Sequence, residues 1–78
     1  MVQAYILIMT EVGRAAAVAS DVAGIDGVLQ AQDVVGPYDV IVSAQAEDLE
    51  SLGGTVVAKV QKVPGITRTI TCRVVSAD

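Results

Sequence analysis

The chain has 78 residues, 53% of them hydrophobic, with two tyrosines and neither Phe nor Trp. Its formal net charge is −4 at pH 7 and its pI near 4.4, which leaves no cationic footprint for binding nucleic acid directly. That length allows one domain, residues 1–78, near the lower limit for a stable single core.

Further classes fall away on composition. With no histidine, neither a Ser-His or Cys-His pair nor a His metal site can form. One cysteine cannot make an internal disulfide or a thiolate cage, which fits a reducing compartment. No cofactor and no metal is expected. The start Met-Val-Gln-Ala-Tyr lacks a basic leader, and the apolar run near it is far shorter than the roughly 20 residues that span a bilayer. A cytoplasmic protein without membrane contact is the expectation. A small sphere exposes much of its surface and should be polar, yet the mean hydropathy is +0.59. The excess predicts apolar surface buried against other copies.

Val2–Met9 predicts a strand with both faces apolar: Val2, Ala4, Ile6 and Ile8 on one, Tyr5, Leu7 and Met9 on the other. Thr10-Glu11 reads as a cap and acidic first turn for a helix over Val12–Ala23, ended by Gly24. Val28–Val35 reads as a more polar strand, carrying Gln30, Gln32 and Asp33, which suits a sheet edge. Gly36-Pro37 then predicts a two-residue type II′ hairpin into a strand over Tyr38–Gln45. The second helix is expected over Asp48–Val63, with a stripe of Leu49, Leu52, Val56, Val60 and Val63. Acids at its start and Lys59 and Lys62 near its end match the helix dipole. Gly53-Gly54 inside it implies close packing on the sheet, or a kink. Ile66–Val75 is the last strand, with Ile66, Ile70, Cys72 and Val74 on one face and Thr67, Thr69, Thr71 and Arg73 on the other.

The order β-α-β-β-α-β predicts a ferredoxin-like α+β sandwich, an antiparallel four-stranded sheet with both helices on one face. Gly27-Val28 and Gly65-Ile66 open the strands after the two helices as a faint internal repeat. The second sheet face has no helix left to cover it, so sheet-to-sheet dimerisation is expected.

The segment richest in chemistry is Gly36-Pro37-Tyr38-Asp39 ahead of Val40-Ile41-Val42. One carboxylate beside free backbone groups can receive a zwitterion, with Asp39 on the ammonium and N–H groups on the carboxylate. The plain alternative is a turn with a polar shoulder. Thr69 and Thr71 have a plain alternative too, since threonine favours strands. Cys72 reads as a small buried hydrophobe.

Gly36-x-Tyr38-Asp39, the Val/Ile strand, a helix, Val63-Pro64-Gly65-Ile66 and Thr69-x-Thr71 together resemble the effector domain of Lrp/AsnC transcriptional regulators. The resemblance, to the module for regulation of amino-acid metabolism, runs from the first strand through Val75. It implies a ferredoxin-like fold, dimers formed through the sheet, and higher rings, often octamers. It also implies a free amino acid bound between dimers near the hairpin; the expected output is mixed assembly with full-length Lrp/AsnC regulators, or sensing by itself. The chain looks like a stand-alone form without the helix-turn-helix. Carried over, Gly36, Tyr38 and Asp39 are the candidate ligand loop, with Thr69 and Thr71 as a facing contribution. Pro37 removes one N–H from that loop. Two other readings stay open: a small dimeric ferredoxin-like enzyme of monooxygenase or isomerase type, and an ACT-like amino-acid-sensing module. Against catalysis, no nucleophile-plus-base arrangement is visible.

Overall fold

A computed structural model describes residues 1–75; the last three positions of the 78-residue chain lie outside it. Strand β1 spans Val2–Thr10, helix α1 Ala15–Ala23, β2 Val28–Asp33, β3 Val40–Ala46 and β4 Ile66–Arg73. Helix α2 occupies 49–60 in three pieces: α-helical at Leu49–Ser51, π-helical at Leu52–Val57 and α-helical again at Ala58–Val60. The sheet order is β2-β3-β1-β4, with every neighbouring pair antiparallel. This is the expected ferredoxin-like sandwich. No helix of the described residues is long and apolar enough to cross a membrane.

The core follows the even face of β1. Ala4, Ile6 and Ile8 are buried together with Val40, Val42 and Ala44 of β3, Val18, Ala19 and Val22 of α1, and Leu52, Val56 and Val60 of α2. The i, i+4 spacing of the last three puts them on one helix face even through the π segment. On the odd face of β1, Tyr5 is 51% exposed, and Leu7 and Met9 are partly covered. One face of the sheet is therefore covered and the other is open.

The faint repeat has a physical basis. Gly27 and Gly65 have φ of +96° and +95°, so each helix-to-strand turn passes through the left-handed region that suits glycine. An added Cβ at Gly27 would meet Val56 Cγ2 at 2.6 Å, and one at Gly65 would meet Val18 Cγ2 at 3.3 Å. Val18 and Val56 occupy matching places in α1 and α2, so each turn closes onto the other half's helix.

Several boundaries differ from expectation. Helix α1 begins at Ala15, not Val12, and its first turn holds no acid and no side-chain cap. Thr10 belongs to β1, and Val12 stands fully exposed at 103%. Gly13 at φ +79° turns the chain before the helix. At α2 Leu49 is exposed, so the buried stripe starts at Leu52. Gly53 and Gly54 have open space where a Cβ would lie, so close packing is not their role. Neither has a positive φ, so the helix does not require glycine at either position.

Asp48 caps α2: its Oδ1 accepts from the Ser51 N–H at 2.7 Å, and that bond holds the carboxyl below its ordinary pKa. A carboxyl lowered by folding stabilises the fold above its unfolded value, about 3.9, and loses that contribution as pH falls through the folded value. Asp48→Asn keeps the cap without titrating. The native chain should therefore lose stability faster than Asp48→Asn below about pH 4, as read by urea midpoints across an acid series. Equal slopes would remove Asp48 from the acid response.

Candidate functional site

The candidate site lies at the end of the sheet where β1 and β2 finish and β3 and β4 begin. Ile8 is the organising residue there, because it pairs with Val40 on one side and Thr69 on the other. One residue before Val40, Asp39 leaves β3 and ties three strands together. Its N–H donates to the Ile8 carbonyl at 2.9 Å and its carbonyl accepts from the Val34 N–H at 2.8 Å. Its carboxylate Oδ2 accepts from the Thr10 N–H at 2.8 Å. Thr10 lies two residues beyond Ile8, so its N–H points to the same side, where β3 has already turned away. The Asp39 side chain supplies the acceptor that the missing rung would have given.

The other side of β1 needs a similar repair. The register to β4 shifts between Met9 and Thr10, which pair with Arg68 and Ile66, leaving Thr67 as the extra residue of a bulge. Thr67 Oγ1 donates to the Met9 carbonyl at 3.2 Å. Asp39 and Thr67 thus satisfy adjacent backbone groups of β1 from opposite sides. Thr67 was legible only as one of an alternating threonine set, because a bulge has no signature in that pattern.

The bulge also corrects the faces of β4. Ile66 joins the core side opposite Thr10, while Ile70 and Cys72 stay opposite Leu7 and Tyr5 on the open face. Cys72 is exposed rather than buried. Strand β4 ends at Arg73, two residues short of expectation.

The hairpin is wider than expected. Strand β2 stops at Asp33 and β3 starts at Val40, with the connection closed by the Val34–Asp39 bond. Gly36 is not among the positive-φ glycines, so the turn is not type II′. The Asp39 anchor explains this, because pinning residue 39 to β1 prevents β3 from running back to Tyr38. At the tip Val35 is fully exposed at 106%, and nothing lies within 4 Å of a Gly36 Cβ.

Gly36, Tyr38 and Asp39 therefore share one loop, in which Tyr38 and Asp39 are half-buried. Thr69 and Thr71 are not brought against it. They face the helix side of β4 opposite Ile8 and Ile6, two strands from β3, which is roughly 10 Å at about 4.8 Å per strand. Thr69 Oγ1 accepts from Gln61 Nε2 at 3.3 Å. Beside it a shallow groove of ≈ 230 Å³ is lined by Gln61, Ile66, Thr67, Arg68 and Thr69. Chemically, the loop offers a fixed carboxylate, and the β4 groove offers hydroxyl, amide and guanidinium groups.

The family model of the Lrp/AsnC ligand-binding domain matches residues 3–77. The chain belongs to that family. Lrp/AsnC ligand-binding domains are regulatory modules of transcription regulators, and solved structures agree with this placement. TTHA0845 from Thermus thermophilus is 28% identical, with TM-score 0.90, over 100% of this chain and 98% of that one. The hypothetical protein PHS023 from Pyrococcus horikoshii is 32% identical, with TM-score 0.88, over 97% and 92%. The transcriptional regulator NMB0573 from Neisseria meningitidis, solved as a complex with L-Met, is 19% identical with TM-score 0.81. This Lrp/AsnC domain is 97% covered by that match but spans 51% of the regulator, and the likeness is one of fold. No curated protein sequence matches the chain.

Proposed function

We propose that this Lrp/AsnC domain senses a free amino acid at the hairpin end of its sheet, with Asp39 receiving the ammonium group. The observation that carries the reading is the anchoring of Asp39. Its Oδ2 is held by the Thr10 N–H, and Oδ1 has no hydrogen bond among the described residues. A carboxylate fixed in place that keeps one acceptor is what an ammonium needs. Tyr38 and the exposed loop at Gly36 adjoin it, and the L-Met held by the Neisseria regulator fits the same ligand class.

The loop is too open in one copy to enclose a ligand, so a neighbouring copy closes the site. Thr69 and Thr71, distant from Asp39 within the chain, contribute from that neighbour. Copies pair through the open sheet face, and dimers gather into a higher ring such as an octamer. A ligand held between dimers favours the assembly that completes its site and shifts the population toward it. The output is regulatory and non-enzymatic, in the cytoplasm, alone or in mixed assemblies with full-length Lrp/AsnC regulators.

Asp39→Asn separates the structural from the binding role, since the amide oxygen still accepts from Thr10 while the charge is gone. Asp39→Ala should cost about 1–2 kcal/mol of stability by leaving the Thr10 N–H unpaired. Asp39→Asn should fold within about 0.5 kcal/mol of native yet lose amino-acid binding by roughly 30-fold or more. Titration calorimetry over the common amino acids, with urea denaturation alongside, reads both. Saturable binding unchanged in Asp39→Asn would take Asp39 out of the site, and no binding by the native chain would sink the reading.

A further inference from the structure

We propose that the groove between β4 and the end of α2 is a receptor for a small aliphatic carboxylate. Gln61, Ile66, Thr67, Arg68 and Thr69 line its ≈ 230 Å³, and none of them is acidic. Strand pairing decides where the donors of Thr69 point. The Val74 N–H donates to the Gln3 carbonyl, and the Glu11 N–H to the Gly65 carbonyl. Gln3 in β1 and Glu11 just beyond it therefore turn their backbone groups toward β4, as do the odd-numbered residues between them. Their partners Cys72, Ile70 and Arg68 face back into the sheet, so Thr69 and Thr71 turn their N–H and carbonyl groups outward. Strand β4 is last in the sheet order, and no strand lies beyond it to meet those groups.

Side chains add to that N–H. Thr69 Oγ1 accepts from Gln61 Nε2 at 3.3 Å, which leaves its own hydrogen to donate and a second N–H on Gln61. Thr67 gives its hydroxyl hydrogen to the Met9 carbonyl and adds no donor. The Arg68 side chain makes no hydrogen bond among the described residues. Arg68 pairs with Met9 on the open-face side, yet on this edge strand it still lines the groove. Its fork of N–H groups matches the two oxygens of a carboxylate. The surroundings do not oppose a negative charge. At the helix end beside the groove, the carbonyls of Val57, Lys59 and Val60 already accept from Gln61, Lys62 and Val63. Lys59 and Lys62 stand there too, which offsets the negative end of the helix dipole. Glu11, bonded to Gly65 next to β4, does not line the groove. Ile66, packed against the core, supplies an apolar wall. One guanidinium, neutral donors at a sheet edge and that wall suit a monoanion with a short hydrocarbon chain.

The groove is complete in a single copy, so it stands whether or not Asp39 binds an amino acid. NMR titration of the isotope-labelled full chain with sodium butyrate should give saturable shifts of the Thr69 amide and the Gln61 side chain. Sodium chloride at equal ionic strength is the blank. Arg68→Gln and Thr69→Val should each weaken butyrate binding by about tenfold, while Asp39→Asn binds it as the native chain does. Circular dichroism confirms that the variants fold. Shifts that never saturate, that sodium chloride reproduces, or that keep native affinity in Arg68→Gln or Thr69→Val overturn the proposal. Free amino acids titrated into the same proteins identify the source of the carboxylate. Amino-acid shifts at Thr69 that vanish in Asp39→Asn assign it to an effector shared with the loop; butyrate binding with no amino-acid effect assigns it to a simple acid. Both keep the groove as the receptor. Loss of amino-acid binding with butyrate binding intact counts only against the Asp39 site.

Discussion

Gly27→Ala is expected to cost about 2–5 kcal/mol, combining left-handed backbone strain with overpacking. The backbone at Gly27 has φ +96°, and an added Cβ would lie 2.6 Å from Val56 Cγ2 and 3.0 Å from the Gln45 carbonyl oxygen. Val56 is buried against the sheet and the Gln45 carbonyl is backbone, so neither neighbour gives way cheaply. The turn is also pinned, since the Gln45 N–H donates to the Gly27 carbonyl at 2.7 Å. For a chain of this size, stable by about 4–12 kcal/mol, that loss takes a large share of the fold. Gly65→Ala should fall short of it: its backbone is as constrained, but its nearest contacts, Arg14 Nε at 3.1 Å and Arg14 Cβ and Val18 Cγ2 at 3.3 Å, are looser than the 2.6 Å at Gly27. Gly53→Ala meets open space and should gain up to about 1 kcal/mol from helix propensity. Urea denaturation of the three variants gives the order directly. If Gly27→Ala denatured at the same urea concentration as Gly53→Ala, the account of the helix-to-strand turns would be wrong.

Leu7→Lys is expected to separate dimers while leaving the single domain folded. Leu7 lies on the open face with Ile41 beside it on β3 and Ile70 beside it on β4. Tyr5 and Cys72 continue that surface one rung pair along. Tyr5 is 51% exposed and Ile41 38% in a lone copy. Leucine, two isoleucines and a tyrosine thus form one apolar patch on the uncovered face. A lysine at its centre would bury a charge without a partner if the face is the dimer contact. The dimer dissociation constant should rise by about 30-fold or more. The thermal midpoint measured below that constant should change little, because the core lies on the other side of the sheet. Sedimentation over a concentration series reads this, and an unchanged dimer would move the contact elsewhere.

The fold was legible because its signals are local and redundant. Alternation placed Ala4, Ile6 and Ile8 on one face, and the spacing of Leu52, Val56 and Val60 marked the buried side of α2. Glycines after each helix located both turns, and their shared left-handed backbone supplies the reason for the repeat. The errors are of another kind. The first-turn cap at Thr10-Glu11, the tight hairpin at Gly36-Pro37 and the buried Cys72 each assumed that a segment's neighbours in sequence set its geometry. In each case a partner far along the chain decided otherwise. Asp39 reaches 29 residues back to the Thr10 N–H, which keeps Thr10 in the strand and opens the hairpin. Thr67 reaches 58 residues back to the Met9 carbonyl at a bulge, which takes Ile66 out of the alternation.

The candidate site divides the same way. Asp39 stood out as a lone carboxylate ahead of an apolar strand, but only the strand pairing shows that one of its oxygens is structural. The threonines of β4 shared a pattern with no indication that Thr69 bonds to Gln61 or that two strand spacings separate it from the hairpin.

By itself the sequence determined the order of elements, the buried side of β1 and of α2, the acidic charge, and an apolar sheet face left without a helix to cover it. These depend on periodicity and composition, which need no knowledge of distant partners. Tertiary structure alone decided the bulge, the width of the hairpin and the anchoring of Asp39. Those depend on which backbone groups are left unpaired once the strands meet, and that is settled only by pairing register.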